Sequence, residues 1–293
     1  MKSSASAKLQ LIASMLTFGT IGIFVRHIPL PSSILALVRG ITGTLFLLVL
    51  IRIQKTPLHR EILRQKLFLL LLSGACIGFN WILLFESYRY TSVATATLCY
   101  YLAPVFVILA SPLLLKERLT SRKLLCVLAS LVGMVFVSGI LDANFSGSSE
   151  MTGVLYGIGA AALYATVMLL NRTLTMVPAY DKTIFQLGSA ALVTLPYVLI
   201  TERGTDLVWT PLSVVLLLLV GIVHTGSAYA LYFNAMGKLP VQTVAIFSYI
   251  DPVAAIILAA IFLGEGLTPA GIIGAVLILG STLLSELPVK SRT

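Results

Sequence analysis

Ten stretches of this chain stay apolar for about the thickness of a bilayer: about 9–28, 33–51, 66–87, 92–114, 122–141, 152–171, 183–200, 211–235, 241–263 and 268–287. A membrane helix needs about 20 such residues. Ten spans use most of the 293 residues and leave short connections such as LPS, GKLP and GEGLTP. Composition excludes the soluble alternative. Only 11% of residues are charged and 58% are hydrophobic, whereas a soluble domain carries about 25% charged residues. The chain is also too apolar for disorder, and 3 Cys are too few for a disulfide scaffold.

Charge sets the orientation. With the N-terminus inside, the outer loops hold only Arg26, Arg89 and Arg203, and Arg39 falls within a helix; the rest of the 20 Lys and Arg lie on the inner side. Basic residues retained in the cytoplasm fix topology, so both termini are expected inside. The net charge of +9 is therefore a topology signal, and no basic domain stands apart to bind nucleic acid. The first run follows Lys2 and Lys8. It is too long for a signal peptide and lacks a clear small-residue cleavage site, which makes it an uncleaved span. Cys76, Cys99 and Cys126 all fall within spans, where thiols behave as small apolar groups.

The chain repeats itself. GFNWILLFESYRYTSVATATLCYYLAPVFVILASPLLLKERLT, from Gly78, aligns without a gap with GSAYALYFNAMGKLPVQTVAIFSYIDPVAAIILAAIFLGEGLT, from Gly226. Phe85 meets Phe233, Tyr101 meets Tyr249, Pro104 meets Pro252 and Glu117 meets Glu265. A weaker match pairs FGTIGIFVR, from Phe18, with YATVMLLNR, from Tyr164. The expected fold is an all-α membrane protein with two five-helix repeats, 1–145 and 146–293. Five is odd, so the halves enter the membrane in opposite directions. Inverted repeats are the usual build of a secondary transporter, with its site at the midplane. A duplicated structural bundle is the bland alternative.

The sequence resembles the drug/metabolite transporter superfamily, in its EamA-type ten-helix branch. The resemblance covers nearly the whole chain and is most specific at YLAPVFVILASPLLLKERLT (Tyr101 to Thr120) and YIDPVAAIILAAIFLGEGLT (Tyr249 to Thr268). Arg39, in LALVRGITGTLF, matches the Arg usual in the second helix of that family. The first repeat carries Ala103 where the acidic residue often stands, and the second carries Asp251. The resemblance implies carrier-type transport of small metabolites, often export, without ATP hydrolysis, in a bacterial cytoplasmic membrane.

Polar residues inside the spans carry what chemistry there is. A charge at a helix centre costs about 3 kcal/mol on insertion scales and usually faces a cavity or a partner. Asp251 falls mid-span beside Pro252, which removes a backbone donor and loosens the turn. Such a carboxylate can take a cation, an amine or a proton, or can cap loosened backbone. His224 lies at similar depth, and histidine as a residue type ordinarily titrates near neutral pH. With Asp251 it forms the pair considered for proton coupling, although a lone His in an apolar helix is more often a structural donor. Arg39 can receive a carboxylate or brace helix ends and Glu86. Trp81, Tyr100, Tyr101, Tyr164, Tyr229 and Tyr249 are too deep for interface belts, and Thr97 shares a face with Tyr101. These rings can line a pocket or simply pack. Asn80 and Asn234 are weaker candidates. Pro104 and Pro252 are the expected flexing points. Gly153, Gly157 and Ala161, and also Gly271 and Ala275, read as packing faces. Glu117 and Glu265 read as caps.

No phosphate-binding loop, H-E-x-x-H or metal-spaced Cys/His cluster occurs in the sequence. No cofactor is expected, and the chain is not expected to be an enzyme. A membrane-embedded enzyme acting through Asp251 and His224, or a structural or receptor bundle, are the competing classes. The expected function is alternating access around a cavity lined by helices one, three, four, six, eight and nine. The expected substrate is a small amphipathic metabolite, an amino acid or related compound, probed against a quaternary ammonium or similar cation. The partners are that substrate and the lipid bilayer.

Overall fold

Helix is the only regular structure among the described residues, and lipid demands it: each backbone N–H and C=O finds its partner inside its own segment. The computed structural model describes residues 2–25, 27–91, 96, 99–116, 119–138, 148–204, 206–263 and 269–286. In the first half the helices are α1 (Lys2–Gly19), α2 (Ile21–Val25), α3 (Ser32–Ile53), α4 (Arg60–Tyr90), α5 (Ala103–Leu115) and α6 (Ser121–Ser138). The second half holds α7 (Ser148–Thr173), α8 (Ala179–Thr201), α9 (Pro211–Leu219), a π-helical stretch (Val220–Ser227), α10 (Ala228–Met236), α11 (Val241–Phe247), α12 (Ile250–Leu263) and α13 (Pro269–Glu286).

Among the described residues, seven helical segments are long and apolar enough to cross a membrane: Ser4–Val25, Ser32–Ile53, Arg60–Tyr90, Glu150–Thr173, Ala179–Thr201, Pro211–Met236 and Val241–Phe262. Ala103–Leu115 and Pro269–Ser281 are apolar but shorter. The turn from Gly237 to Pro240 separates α10 from α11, so the eighth and ninth apolar runs are distinct. Pro31 and Pro178, which stand just before α3 and α8, share one geometry, φ −55°, ψ 145° and φ −54°, ψ 146°. Each fixes φ at the start of a helix, where a missing N–H costs nothing.

Packing runs between the halves. The pair α4 with α7 is answered by α10 with α1, and α5 with α7 by α12 with α1. The pair α4 with α8 is answered by α3 with the π-helical stretch. The pairs α3 with α8 and α6 with α13 each join corresponding helices, and α5 packs on α11, the helix just before its own counterpart α12. Small residues make the crossings close. A Cβ on Gly78 would lie 2.8 Å from the Ala190 carbonyl oxygen, and one on Gly221 would lie 2.6 Å from Thr42 Cβ. Gly153 and Gly157 seat α7 against Thr91, Ser87 and Cys99. Large apolar side chains remain on the outside: Phe68, Leu113 and Ile200 are 75%, 85% and 76% exposed. Such a surface is stable only against lipid or another apolar partner.

Candidate functional site

Two helices are interrupted at the same depth and face each other there. α1 stops at Gly19, Thr20 forms a turn, and α2 resumes at Ile21. α11 stops at Phe247, Ser248 and Tyr249 form a turn, and α12 starts just before Asp251 and Pro252. Gly19 lets them meet: a Cβ there would lie 2.7 Å from Ala254 Cβ and 2.9 Å from the Asp251 carbonyl oxygen. The first half has a second interruption, at Tyr101 and Leu102, immediately before α5 and Pro104. Both prolines thus sit in the first turn after a break, where the loosened backbone was expected.

These breaks border a cavity of about 560 Å³. Asp251 and Arg39 both line it, with Tyr100, Tyr101, Tyr164 and Tyr229 from the expected set. Tyr101 donates its hydroxyl to Asp251 Oδ2 at 3.4 Å. Tyr100 stacks on Tyr164, with centroids 5.4 Å apart at 20°. Arg39 donates Nε–H to Thr225 Oγ1 at 3.0 Å, and its Cζ lies 5.9 Å from the Trp81 ring centroid, within cation–π reach. Among the described residues, neither Arg39 nor Asp251 is paired with an opposite charge. Glu86, the carboxylate considered for bracing Arg39, bonds Arg89 and Tyr197 instead.

Other expected site residues stand away from the cavity. Trp81 is buried behind Arg39. Tyr249 is buried and donates to the Tyr101 carbonyl oxygen at 3.0 Å. Asn80 donates to the Ala160 carbonyl oxygen at 2.6 Å, joining α4 to α7. Asn234 donates to Gln10 Oε1 at 2.7 Å. Tyr249, Asn80 and Asn234 spend their polar atoms on bonds between helices, because an enclosed polar group must find a partner. His224 sits in the π-helical stretch with Nε2 2.8 Å from Thr20 Oγ1, its ring against Phe24. It is buried but does not line the cavity, and its Nδ1 has no hydrogen-bond partner among the described residues. Thr97, Glu117 and Glu265 lie outside the described residues.

The cavity also has walls that sequence reasoning missed. Phe18, Phe85, Tyr88, Tyr232 and Ser248 line it, and α3 contributes Ser32 and Leu35 as well as Arg39. Tyr232 shares a 2.8 Å hydrogen bond with Tyr164. Its spacing of three from Tyr229 places both on one helix face, a signal that was available. The cavity reaches from Asp251 to the end of the bundle marked by Val25, Ser32 and Tyr88. The other end is closed. Phe233, Met236, Leu239 and Val241 are buried there, Arg172 bonds the Gly237 carbonyl oxygen, and Asp181 accepts from the His59 backbone and lies 3.0 Å from its Nδ1.

The EamA-like transporter family matches this chain twice, over residues 5–139 and again over 151–287. The chain belongs to that family. It is 29% identical to the uncharacterized transporter YxxF of Bacillus subtilis, over 90% of this chain and 84% of that one. An uncharacterized transporter of Archaeoglobus fulgidus is 26% identical over 94% of each chain. Protein RarD of Salmonella typhi is 27% identical over 73% of this chain and 68% of its own. One crystal structure superposes with a TM-score of 0.84 over 96% of each chain at 20% identity, which speaks to the fold alone. Family membership and the seven apolar helices make this an integral membrane protein whose general function is transport.

Proposed function

We propose that the protein is a secondary transporter that carries a small zwitterionic metabolite, an amino acid or related compound, outward by alternating access. The observation that carries this reading is the pair of unpaired opposite charges, Asp251 and Arg39, on one cavity. An α-ammonium would meet the Asp251 carboxylate. The carboxylate would meet the Arg39 guanidinium, which suits a planar acceptor. The tyrosine wall would cover the side chain. About 560 Å³ is of the size used for small-molecule sites.

The same reading takes the chain as ten spans in two inverted repeats with both termini in the cytoplasm. Two matches to one family, and a packing pattern that survives exchange of the halves, support it. Under this topology the cavity opens outward. A second reading, a quaternary ammonium or similar cation, draws on the rings of Tyr100, Tyr101, Tyr164 and Tyr229 beside Asp251 and leaves Arg39 unused.

Arg39→Gln separates the two. If Arg39 meets the carboxylate, the variant weakens binding of an amino acid by about tenfold or more, since a charge-assisted bond contributes about 1.5–3 kcal/mol. The matching amino-acid amide, which lacks the carboxylate, loses much less. Binding is read as the thermal stabilisation that each ligand gives the purified protein. Equal losses for acid and amide would remove Arg39 from the site and favour the cation. A fall in the melting point without ligand would make it a brace through Thr225 and Trp81.

A further inference from the structure

A second cavity, of about 520 Å³, lies on the outside of the bundle at the end of α3 remote from Ser32. Its walls are Leu45, Leu48, Val49 and Ile51 on α3, and its mouth carries Arg52, Thr56 and Arg60. The transport cycle proposed above makes no use of it.

Its two halves differ in chemistry. Leu45 and Val49 belong to a stripe at i, i+4 spacing, Ile41, Leu45, Val49 and Ile53, exposed by 42%, 55%, 56% and 72%. In a spanning protein such a stripe faces acyl chains. The stripe ends at two cations. Arg52 closes α3 and Arg60 opens α4. Between them Lys55 adopts φ 54°, and the Lys55 and Thr56 amides return to the Arg52 and Ile51 carbonyl oxygens at 3.2 and 3.0 Å. That turn brings Arg60 to the same cavity mouth as Arg52. Both arginines are exposed, and neither has a hydrogen-bond or ion-pair partner among the described residues.

An apolar trough ending in two unpaired guanidinium groups at headgroup depth is complementary to one class of molecule. We propose that this groove binds an anionic phospholipid. Its phosphate lies between Arg52 and Arg60, and one acyl chain runs along Leu45, Leu48 and Val49. Guanidinium groups suit phosphate geometry better than an ammonium does. Juxtamembrane basic residues attract anionic lipid. The inference needs only that the chain spans a bilayer, so it stands or falls apart from the substrate and the direction of transport.

Native mass spectrometry of the full chain in detergent tests it, with phosphatidylglycerol and phosphatidylcholine of identical acyl chains. Each arginine is expected to favour the anionic lipid by about fivefold, and the two together by about thirtyfold. Arg52→Gln and Arg60→Gln should each lose about fivefold of that preference, and the double variant nearly all of it. Arg64→Gln with Lys66→Gln removes the same charge from residues outside the groove lining and should keep the preference. Unfolding curves confirm that each variant is folded. Equal binding of the two lipids by the unaltered protein needs no variant and overturns the proposal. So does a preference that survives the double substitution, or one lost equally in the control. Displacement of the lipid by glycerol phosphate at matched concentration would assign the arginines to free phosphate and overturn the acyl-chain half.

Discussion

At the scale of single residues the proposed site turns on Asp251. Its carboxylate lies in a cavity walled by tyrosines, and Tyr101 is its one hydrogen-bond donor among the described residues. Asp251→Asn keeps the shape and removes the charge. The variant is expected to reach the membrane folded, to lose transport by about tenfold or more, as the loss of a charge-assisted bond implies, and to show a flatter response to pH. Flux measured across pH, normalised to protein amount, checks this. Flux and a pH profile like those of the unaltered protein would make the carboxylate incidental. Asp251 and Arg39 were legible in the sequence because charge inside a span is costly and stands out. Asn80 and Tyr249 satisfy the same rule of burial yet spend their polar atoms on the Ala160 and Tyr101 carbonyl oxygens. Only geometry separates a polar group that faces a cavity from one that ties two helices. Phe18 and Phe85 carry no polar atom to mark them, so their place on the cavity wall follows from packing alone.

At the scale of helices, close crossings and loosened turns divide the work. Pro104 and Pro252 announced the breaks beside them, whereas the break at Thr20 between α1 and α2 has no proline to mark it and the run 9–28 reads as one span. The shortness of α11 and the π-helical stretch around His224 were not legible, because hydropathy is blind to hydrogen-bond register. π-Helical turns often mark functional positions; this one places Thr225 under Arg39 and His224 against Thr20. Crossing distance gives a test with two signs. Gly78 of α4 meets α8 so closely that an added Cβ would lie 2.8 Å from the Ala190 carbonyl oxygen and 3.0 Å from Val193 Cβ. Gly78→Ala should therefore destabilise by about 1–3 kcal/mol, the cost of overpacking. Gly280 of α13 has nothing within 4 Å of the same position. Gly280→Ala should stabilise by up to about 1 kcal/mol, through helix propensity. Unfolding of the purified protein in mixed micelles reads both. Equal effects would mean that backbone contact does not set these crossings.

At the scale of the molecule, an exchange-symmetric packing has a mechanical consequence. If the halves are inverted copies, each contact that seals one end has a counterpart at the other, and only one set closes at a time. At the closed end, Asp181 on α8 holds His59 ahead of α4. Breaking the closed-end latch should move the population toward the opposite state. Two hydrogen bonds to a carboxylate contribute about 1.5–3 kcal/mol each, so loss of even one favours the other state by about tenfold or more. Gly22 reports the shift, because it lines the open cavity and has free space for a side chain. The free cysteines Cys76, Cys99 and Cys126 are first replaced by serine. Gly22→Cys should then react from outside the cell with a maleimide that cannot cross the membrane. Adding Asp181→Asn should slow that reaction several-fold while the same cysteine becomes reachable from the cytoplasm. Reporter fusions at residues 1 and 293, both expected inside, fix which side is which. An external C-terminus would remove the ten-span count and the inversion with it. Labelling that ignores the Asp181 substitution would leave the topology intact but would show that the Asp181–His59 contact anchors a loop instead of holding a gate.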